Sequence, residues 1–301
     1  MFLHRIFLTM DKLASTKSQR ASLRRLFVFF AVFTWAGSVL AQDLSHPDKL
    51  LTVWAGSLPI ILSAPHGGRF PIPGVSPRRG VGVAQFTTDR DTNTDELAQK
   101  IATRLKQKLG AIPYLIIALF ERKYLDANRP REGAYESQDA GPYYDAYHRA
   151  MAGSCEAVRR RWGRGVLIDI HGQGAEPDAI FRGTNNGKSV TALDRQFGPE
   201  ALTGQNSIFG LLASRGYKII PAPGSREPER RYTGGYTTRV YGSSGDSGID
   251  AIQLEVGTRL RTRANLERTA DDLTDAIAVF AKEYLPRNPL PADALPKERR
   301  K

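Results

Sequence analysis

The sequence predicts an α/β fold, a three-layer α/β/α sandwich around a mixed, mostly parallel central sheet. Short apolar runs alternate with longer segments whose apolar residues recur at helical spacing, which is the pattern of repeated strand–helix units. The stretch Val166–Gly174, VLIDIHGQG, begins with a run apolar enough for a strand in the middle of that sheet. The chain has 301 residues, 41% of them hydrophobic and 25% charged, which is enough for one large domain that we place at 42–285.

The first 41 residues have the pattern of a secretory signal peptide. A basic segment ending at Arg25 precedes an apolar run from Leu26 to Leu40, and Ala41 suits the small-residue cleavage rule. An uncleaved membrane anchor is the alternative, but the apolar run of about 15 residues is short for a spanning helix. We therefore expect a periplasmic or secreted protein with no stable membrane span after cleavage.

The net charge indicates which binding partners to expect, and the cysteine content limits which residues can bind a metal ion. The formal net charge is +12, and it is +7 after loss of residues 1–41, which hold six Lys/Arg and one acid; this positive charge favours anionic partners. No segment has a nucleic-acid-binding motif, so we expect no nucleic-acid partner. The basic, proline-rich end, 286–301, is expected to be disordered. Cys155 is the single cysteine, so any metal site has to be built from histidine and carboxylate ligands.

The first half of the chain predicts three strands and two helices. Leu50–Ala55 and Pro59–Ala64 are apolar runs that we expect to pair as a hairpin through Gly56 and Ser57. After a proline- and glycine-rich loop, we expect a helix that is capped by Thr94. The evidence for this helix is that apolar residues recur every four positions after Thr94. The remaining elements are a strand over 114–120 and a helix over 143–162.

The second half continues the alternation. We expect the strand that begins at Val166 to end at His171, where Gly172 and Gly174 break it. The segment 175–206 is expected to be irregular, and 224–248 to be a polar loop whose length of about 25 residues indicates function. The other predicted elements are a helix over 207–215, strands over 218–221 and 250–256, and a helix over 263–284.

Two histidines stand where a metal site is expected. His66 and His171 each follow an apolar strand and precede glycine, which places both imidazoles at the carboxyl edge of the sheet, where ligands bind in such folds. Neutral imidazole is a good zinc ligand, and a catalytic zinc ion needs a third protein ligand. Asp91 is our choice for that ligand, with Asp89 and Asp95 as alternatives.

Other polar residues are candidates for catalysis and substrate binding. Glu255 lies in the apolar strand DAIQLEV, where a carboxylate is costly unless it is paired; it is either a structural ion-pair partner or a general base. Asn128 and Arg129 follow a strand, and Arg239 lies in a glycine-rich loop. A guanidinium group offers a fixed fork for a carboxylate, so these residues favour an anionic substrate.

An ordered set of motifs resembles the N-formylglutamate amidohydrolase family, which is related to zinc carboxypeptidases and to the succinylglutamate desuccinylase/aspartoacylase group. The motifs are SAPHGG, DTNTDELA, DANRP, DIHG, GGYTTRVYG and IQLEV. The resemblance implies a phosphorylase/hydrolase-like fold and one Zn²⁺ ion. It also implies roles for the candidates: metal ligands at His66, Asp91 and His171, a catalytic carboxylate at Glu255, and substrate contacts at Asn128, Arg129 and Arg239.

The expected function is that of a secreted zinc-dependent amidohydrolase. It would cleave an amide bond of a small, carboxylate-bearing N-acyl amino acid or peptide with metal-activated water. The alternatives are a metallo-carboxypeptidase, a cell-wall peptide amidase and a degenerate binding module without catalysis. A serine hydrolase that uses Ser63 is disfavoured, because the sequence contains no GxSxG motif.

Overall fold

A mixed seven-stranded sheet organises the protein in the computed structural model, which describes residues 46–225, 227–244 and 249–291. The expected signal peptide, 1–41, and residues 292–301 of the expected tail lie outside the described residues. The strands are Leu51–Trp54 (β1), Ile60–Ala64 (β2), Tyr114–Ala118 (β3), Val166–Gln173 (β4), Ala179–Gly183 (β5), Lys218–Ile220 (β6) and Asp250–Gly257 (β7).

The strand order is β1-β3-β2-β4-β7-β5-β6, so β4 is the central strand. Pairing is parallel from β3 through β2 and β4 to β7, and again between β5 and β6. It is antiparallel between β1 and β3 and between β5 and β7. The expectation of a mixed, mostly parallel sheet with VLIDIHGQG at its centre is therefore confirmed.

Helices cover both faces of the sheet. They are Thr94–Leu109 (α1), Arg131–Ala134 (α2), Gly141–Trp162 (α3), Thr191–Phe197 (α4), Glu200–Thr203 (α5), Ile208–Ser214 (α6), Tyr236–Tyr241 (α7) and Leu266–Tyr284 (α8), with 3-10 turns at Pro47–Leu50, Gln138–Ala140, Lys188–Val190 and Arg259–Arg261. Buried residues of α1, α6 and α8 form one core with one set of strand side chains, and those of α3 form a second core with the opposite set. The predicted three layers are present. None of the described helices is long and apolar enough to cross a bilayer.

The predicted hairpin between the first two strands is wrong. β1 pairs with β3, and the turn after β1 is held against the segment before β3, because the backbone N–H groups of Ser57 and Leu58 donate to the carbonyl of Ile112. β2 is buried at every position, whereas β1 is partly exposed. A strand buried on both faces fits between two parallel neighbours, and a partly exposed strand fits the edge.

Three other expectations need correction. β4 continues through Gly172 to Gln173, because its pairing with β7 extends as far as Gly257. The segment expected to be irregular contains β5, α4 and α5, and the expected polar loop contains α7. These elements are short, between 4 and 7 residues, so their apolar patterns are too brief to stand out in the sequence.

The buried thiol of Cys155 provides a test of this core. Cys155 lies in α3, only 2% exposed, and burial raises the pKa of its thiol to about 12. Because the thiolate is the reactive form, we expect modification of the native protein at pH 8 to be roughly a thousandfold slower than that of an exposed cysteine. A colorimetric thiol assay should detect one thiol in urea and none in the native state. Rapid labelling without urea would contradict this packing.

Candidate metal centre

The centre is built on the ends of three neighbouring parallel strands, β2, β4 and β7. Residues in register on parallel strands point to the same face of a sheet. Ser63, Asp169 and Gln253 form one such row, and His171 and Glu255 form the next row towards the carboxyl edge. The sequence predicted a site at this edge, and the register explains why its polar side chains converge.

His66, Asp91 and His171 form a compact group of buried metal-ligating side chains. The two Nδ1 atoms of the histidines are 3.1 Å apart, and Asp91 Oδ2 lies 3.4 Å from Nδ1 of His66 and 3.3 Å from Nδ1 of His171. Tetrahedral zinc with bonds of about 2.0–2.1 Å separates its ligand atoms by about 3.3 Å. The triangle therefore has the dimensions of one face of a tetrahedral zinc site.

Two further carboxylates fix which histidine nitrogens face this triangle. His66 Nε2 lies 2.6 Å from Asp126 Oδ1, and His171 Nε2 lies 2.9 Å from Asp169 Oδ2. An ionised carboxylate only accepts hydrogen bonds, so each Nε2 carries a proton, and Nδ1 of each ring in its neutral form is left with a lone pair. This carboxylate–histidine arrangement is the one that orients histidine ligands in metal sites.

The charges of the group support one another. Burial alone would raise the pKa of Asp91, but the neighbouring His171 and His66 outweigh that effect and lower it. Burial alone would lower the pKa of His171, but Asp169 and Asp91 outweigh it and raise the pKa well above its usual value. Without a metal ion, each shift favours the charged form, so an ionised Asp91 lies beside a protonated His171. A bound cation would take the place of the proton on His171 Nδ1.

Two hydrogen bonds fix Asp91, one through its backbone and one through its side chain. Its own N–H donates to the carbonyl of His66 at 3.0 Å, and its Oδ2 accepts the N–H of Gly172 at 3.0 Å. Asn93 adopts a left-handed conformation, φ 66°, as the N-cap of α1, a conformation that asparagine tolerates better than most residues. The N-cap is therefore Asn93 rather than Thr94, and the sharp turn it makes leaves Asp91 facing the histidines.

The two alternative acids are not members of this group of ligand atoms. Asp89 is exposed. Asp95 lies in the first turn of α1 and accepts a hydrogen bond from Arg69 at 3.1 Å. The structure thus brings Asp91 into the group, as our first choice predicted, and gives Asp95 an ion pair beside a helix N-terminus.

A buried arginine supports the strand end behind the triangle. The Arg261 side chain donates from Nε to the carbonyl of Val256 at 2.9 Å and from Nη1 to the carbonyl of Thr92. It lies directly against Gly172, where an added Cβ would be 2.3 Å from Arg261 Cζ. Glycine after His171 therefore leaves room for the guanidinium group, and a side chain there would have to displace Arg261 from the turn that carries Asp91.

Glu255 stands beside His171 in the adjacent strand and is 7% exposed. Gln253 Nε2 donates to its Oε1 at 2.7 Å, and no ion pair joins Glu255 to any described residue. Burial, with repulsion from Asp91, raises the pKa of Glu255 to about 7, against an opposing attraction from His171. The structural ion pair considered from the sequence is thus not seen among the described residues, and the carboxylate is left beside the metal-ligating group.

The residues expected to bind substrate differ in their surroundings. Asn128 lies next to the centre, with Nδ2 3.1 Å from His171 Nε2. Arg129 donates from Nε to Asp126 at 3.1 Å, from Nη1 to the carbonyl of Ala84 at 2.9 Å and from Nη2 to the carbonyl of Gln85, so its three nitrogens already have protein partners. Arg239 is exposed on α7.

Sequence reasoning did not assign Asp126, Asp169 or Arg122 to the site. Asp169 stands two residues before His171 in the strand, a spacing that places both on one face and could have revealed it. Arg122 lies with Nη2 2.9 Å from Asp126 Oδ2 and Nη1 4.0 Å from Asp91 Oδ1, so it links the two acids. No local pattern in the sequence marks this arginine.

The carboxylates behind the histidines can be tested through metal affinity. Asp126→Asn and Asp169→Asn each replace an ionised acceptor with a neutral carboxamide, which can also donate and therefore no longer enforces the histidine tautomer. We expect zinc affinity to fall about 10–100-fold. Competition with a chromogenic chelator measures this change. Asp89→Asn, an exposed acid on the same segment, is the matched control and should leave affinity unchanged. Equal affinity in all three variants would mean that these carboxylates do not orient ligands.

Comparison with known proteins links this geometry to a family. The sequence profile of the N-formylglutamate amidohydrolase family matches residues 136–261, a range that contains His171, Arg239 and Glu255 but not His66, Asp91, Asn128 or Arg129. No curated protein matches the chain significantly. The resemblance inferred from the motifs is confirmed, and the match supports hydrolysis of an amide bond.

Solved structures confirm the fold. The N-formylglutamate amidohydrolase of Ralstonia eutropha JMP134 is similar over 78% of this chain and 98% of its own, with 18% sequence identity and a TM-score of 0.51. A gene product of Agrobacterium tumefaciens is similar over 77% of this chain and 95% of its own, with 14% identity and a TM-score of 0.50. At these identities the likeness shows the fold alone, an α/β architecture with helices on both sides of a mixed sheet.

Proposed function

We propose that the protein is a zinc-dependent amidohydrolase that cleaves an amide bond in a small, carboxylate-bearing N-acyl amino acid or peptide. The observation that carries the proposal is the triangle of His66, Asp91 and His171, with edges of 3.1–3.4 Å, beside Glu255. The match of residues 136–261 to an amidohydrolase family supports the same reaction class.

The donor set fits a zinc ion. Nδ1 of His66, Nδ1 of His171 and one oxygen of Asp91 would hold it, because these three atoms are acceptors that face one another. A zinc ion held by three protein ligands supplies Lewis-acid chemistry, which makes water a better nucleophile near neutral pH and polarises the substrate carbonyl. Asp126 and Asp169 keep the two rings in the orientation that this role requires.

Glu255 is the proposed general base and acid. Its carboxylate accepts a proton from the water whose oxygen attacks the amide carbonyl, and then delivers that proton to the departing nitrogen as the carbon–nitrogen bond breaks. The products are a carboxylic acid and an amine. Its position next to His171, without a cation partner among the described residues, leaves the carboxylate available for this transfer.

Arginines would supply the positive charge that the substrate and the transition state need. Arg122, whose Nη1 is 4.0 Å from Asp91, is suited to stabilise the developing oxyanion. Asn128, Arg129 and Arg239 are proposed to bind the substrate carboxylate. Binding at Arg129 would exchange its hydrogen bonds to the carbonyls of Ala84 and Gln85 for bonds to the substrate.

Replacing the general base separates catalysis from metal binding. Glu255→Gln should retain about one zinc ion per chain, because Glu255 is outside the ligand triangle, and should lose at least about 100-fold in kcat, because a carboxamide cannot accept the proton. Zinc is measured by atomic emission, and hydrolysis by release of free amine from formyl-, acetyl- and succinyl-amino acids. Full activity in Glu255→Gln would refute the proposed mechanism.

The amine-release assay distinguishes the alternatives when its panel of substrates also includes small peptides and cell-wall fragments. Preference for peptides with a free C-terminal residue would indicate a metallo-carboxypeptidase, and release of peptide from wall fragments a cell-wall amidase. A protein that binds such fragments with no turnover, and whose His66→Ala/His171→Ala variant binds them equally well, would be a non-catalytic binding module. The acyl group accepted in this panel then defines the substrate.

We also propose that the protein is exported and acts in the periplasm or outside the cell. The support is the signal-peptide pattern of residues 1–41. Expression of the full chain in a bacterial host should yield a mature protein that begins at Gln42, because Ala41 is the predicted last residue of the leader. Intact-mass analysis of the periplasmic fraction measures this. Full-length protein confined to the cytoplasm would contradict export.

A further inference from the structure

We infer that the start of α7, residues 235–237, is a positioning element that orients two side-chain amides of the site, and that Gln253 is the positioning residue for Glu255. The inference rests on the proposed function, because it concerns how the general base is held. Two amides from different parts of the chain, Asn128 and Gln253, each accept an N–H group from this same short segment.

Gln253 connects this segment to the catalytic carboxylate. Its Oε1 accepts the N–H of Gly235 at 2.7 Å, and its Nε2 donates to Glu255 Oε1 at 2.7 Å. A backbone N–H only donates and an ionised carboxylate only accepts, so the amide has one orientation that satisfies both. Gln253 is 4% exposed, which removes water as a competing partner. One oxygen of Glu255 is thereby fixed.

Asn128 is the second amide that this segment holds in place. Its Oδ1 accepts the N–H of Thr237 at 2.7 Å, and its Nδ2 lies 3.1 Å from His171 Nε2. Because Nε2 already donates its proton to Asp169, this is a packing contact that limits the position of the imidazole, not a hydrogen bond. The contact with the segment is close, because a Cβ added to Gly235 would lie 2.0 Å from Asn128 Nδ2. A glycine at 235 therefore lets the backbone approach both amides.

The far end of α7 is attached to the helix that covers this face. The Tyr241 hydroxyl lies 2.8 Å from Nδ1 of His148, a residue of α3. The segment is thus fixed at its end by α3 and at its start by the two amides. A displacement of the start of α7 would release Gln253, and with it the direction of the Glu255 carboxylate.

The test compares two buried glutamines. Gln253→Met keeps the size of the side chain but removes both hydrogen bonds; we expect kcat to fall about 10–100-fold, with KM within about threefold and zinc content unchanged. Gln173→Met is the matched control: it is also 4% exposed, lies in the adjacent strand, and bonds through its amide only to backbone groups of Glu176 and Ala179. It should match the loss of thermal stability and leave kcat within about twofold.

A double variant separates positioning from general disturbance. If Gln253 acts through Glu255, adding Gln253→Met to Glu255→Gln should cause no further loss of kcat, because both changes disable the same carboxylate. Two losses that multiply, or a Gln253→Met enzyme with wild-type kcat, would overturn the inference. Full activity in Glu255→Gln alone would instead reject the proposed function, so the two failures are distinct.

Gly235→Ala provides an independent variant if Gln253→Met does not fold. The added methyl group occupies the space of the Asn128 amide and should displace the start of α7, so kcat is again expected to fall at least about tenfold at unchanged zinc content. Gly153→Ala, an exposed glycine of α3 whose added Cβ meets no atom within 4 Å, is the control. Wild-type kcat in Gly235→Ala would overturn the role of this segment.

Discussion

Three atoms that can bind a cation face one another at the centre of this protein, and much of the surrounding structure follows from that constraint. Nδ1 of His66, Nδ1 of His171 and Oδ2 of Asp91 lie within 3.4 Å of each other. With no positive charge among them they would repel, and their burial would strengthen that repulsion. Asp126 and Asp169 enforce the arrangement, because each accepts a hydrogen bond from the Nε2 of one histidine. Each ring is thereby held with its Nδ1 facing the other two atoms.

The fold supplies the ligands from positions that the sheet itself defines. His171 extends from the central strand, His66 follows the strand next to it, and Glu255 lies on the strand at the other side. The third ligand comes from outside the sheet, at the turn into α1. The acids that hold the imidazoles carry balancing charge of their own: burial would raise the pKa of Asp126, but His66, Arg122 and Arg78 keep it well below its usual value.

The parts of this arrangement that were predictable are those that a local pattern determines. Apolar runs ending in a histidine and a glycine predict both the parallel strands and the two imidazoles at one edge. The partner of β1 was not predictable in this way, because the pairing depends on which strands are buried on both faces. The fully buried β2 lies between β3 and β4, and the partly exposed β1 lies at the edge, beside β3. Arg122 was missed because its role depends on contacts between loops that are distant from Asp91 in sequence. The expected role of Arg129 in binding substrate stays a prediction. Its Nε contacts Asp126, and its other nitrogens contact carbonyls of a loop that carries no signal in the sequence.

The glycine after His171 makes the ligand group hard to transplant. Gly172 donates its N–H to Asp91, and its bare Cα leaves room for the Arg261 side chain, which in turn holds the carbonyl of Thr92. A protein engineer who copied only two histidines and an aspartate onto another sheet would therefore obtain mobile side chains. The smallest portable unit includes the end of β2 with His66, the ends of β4 and β7, the turn into α1 and the arginine that lies against Gly172.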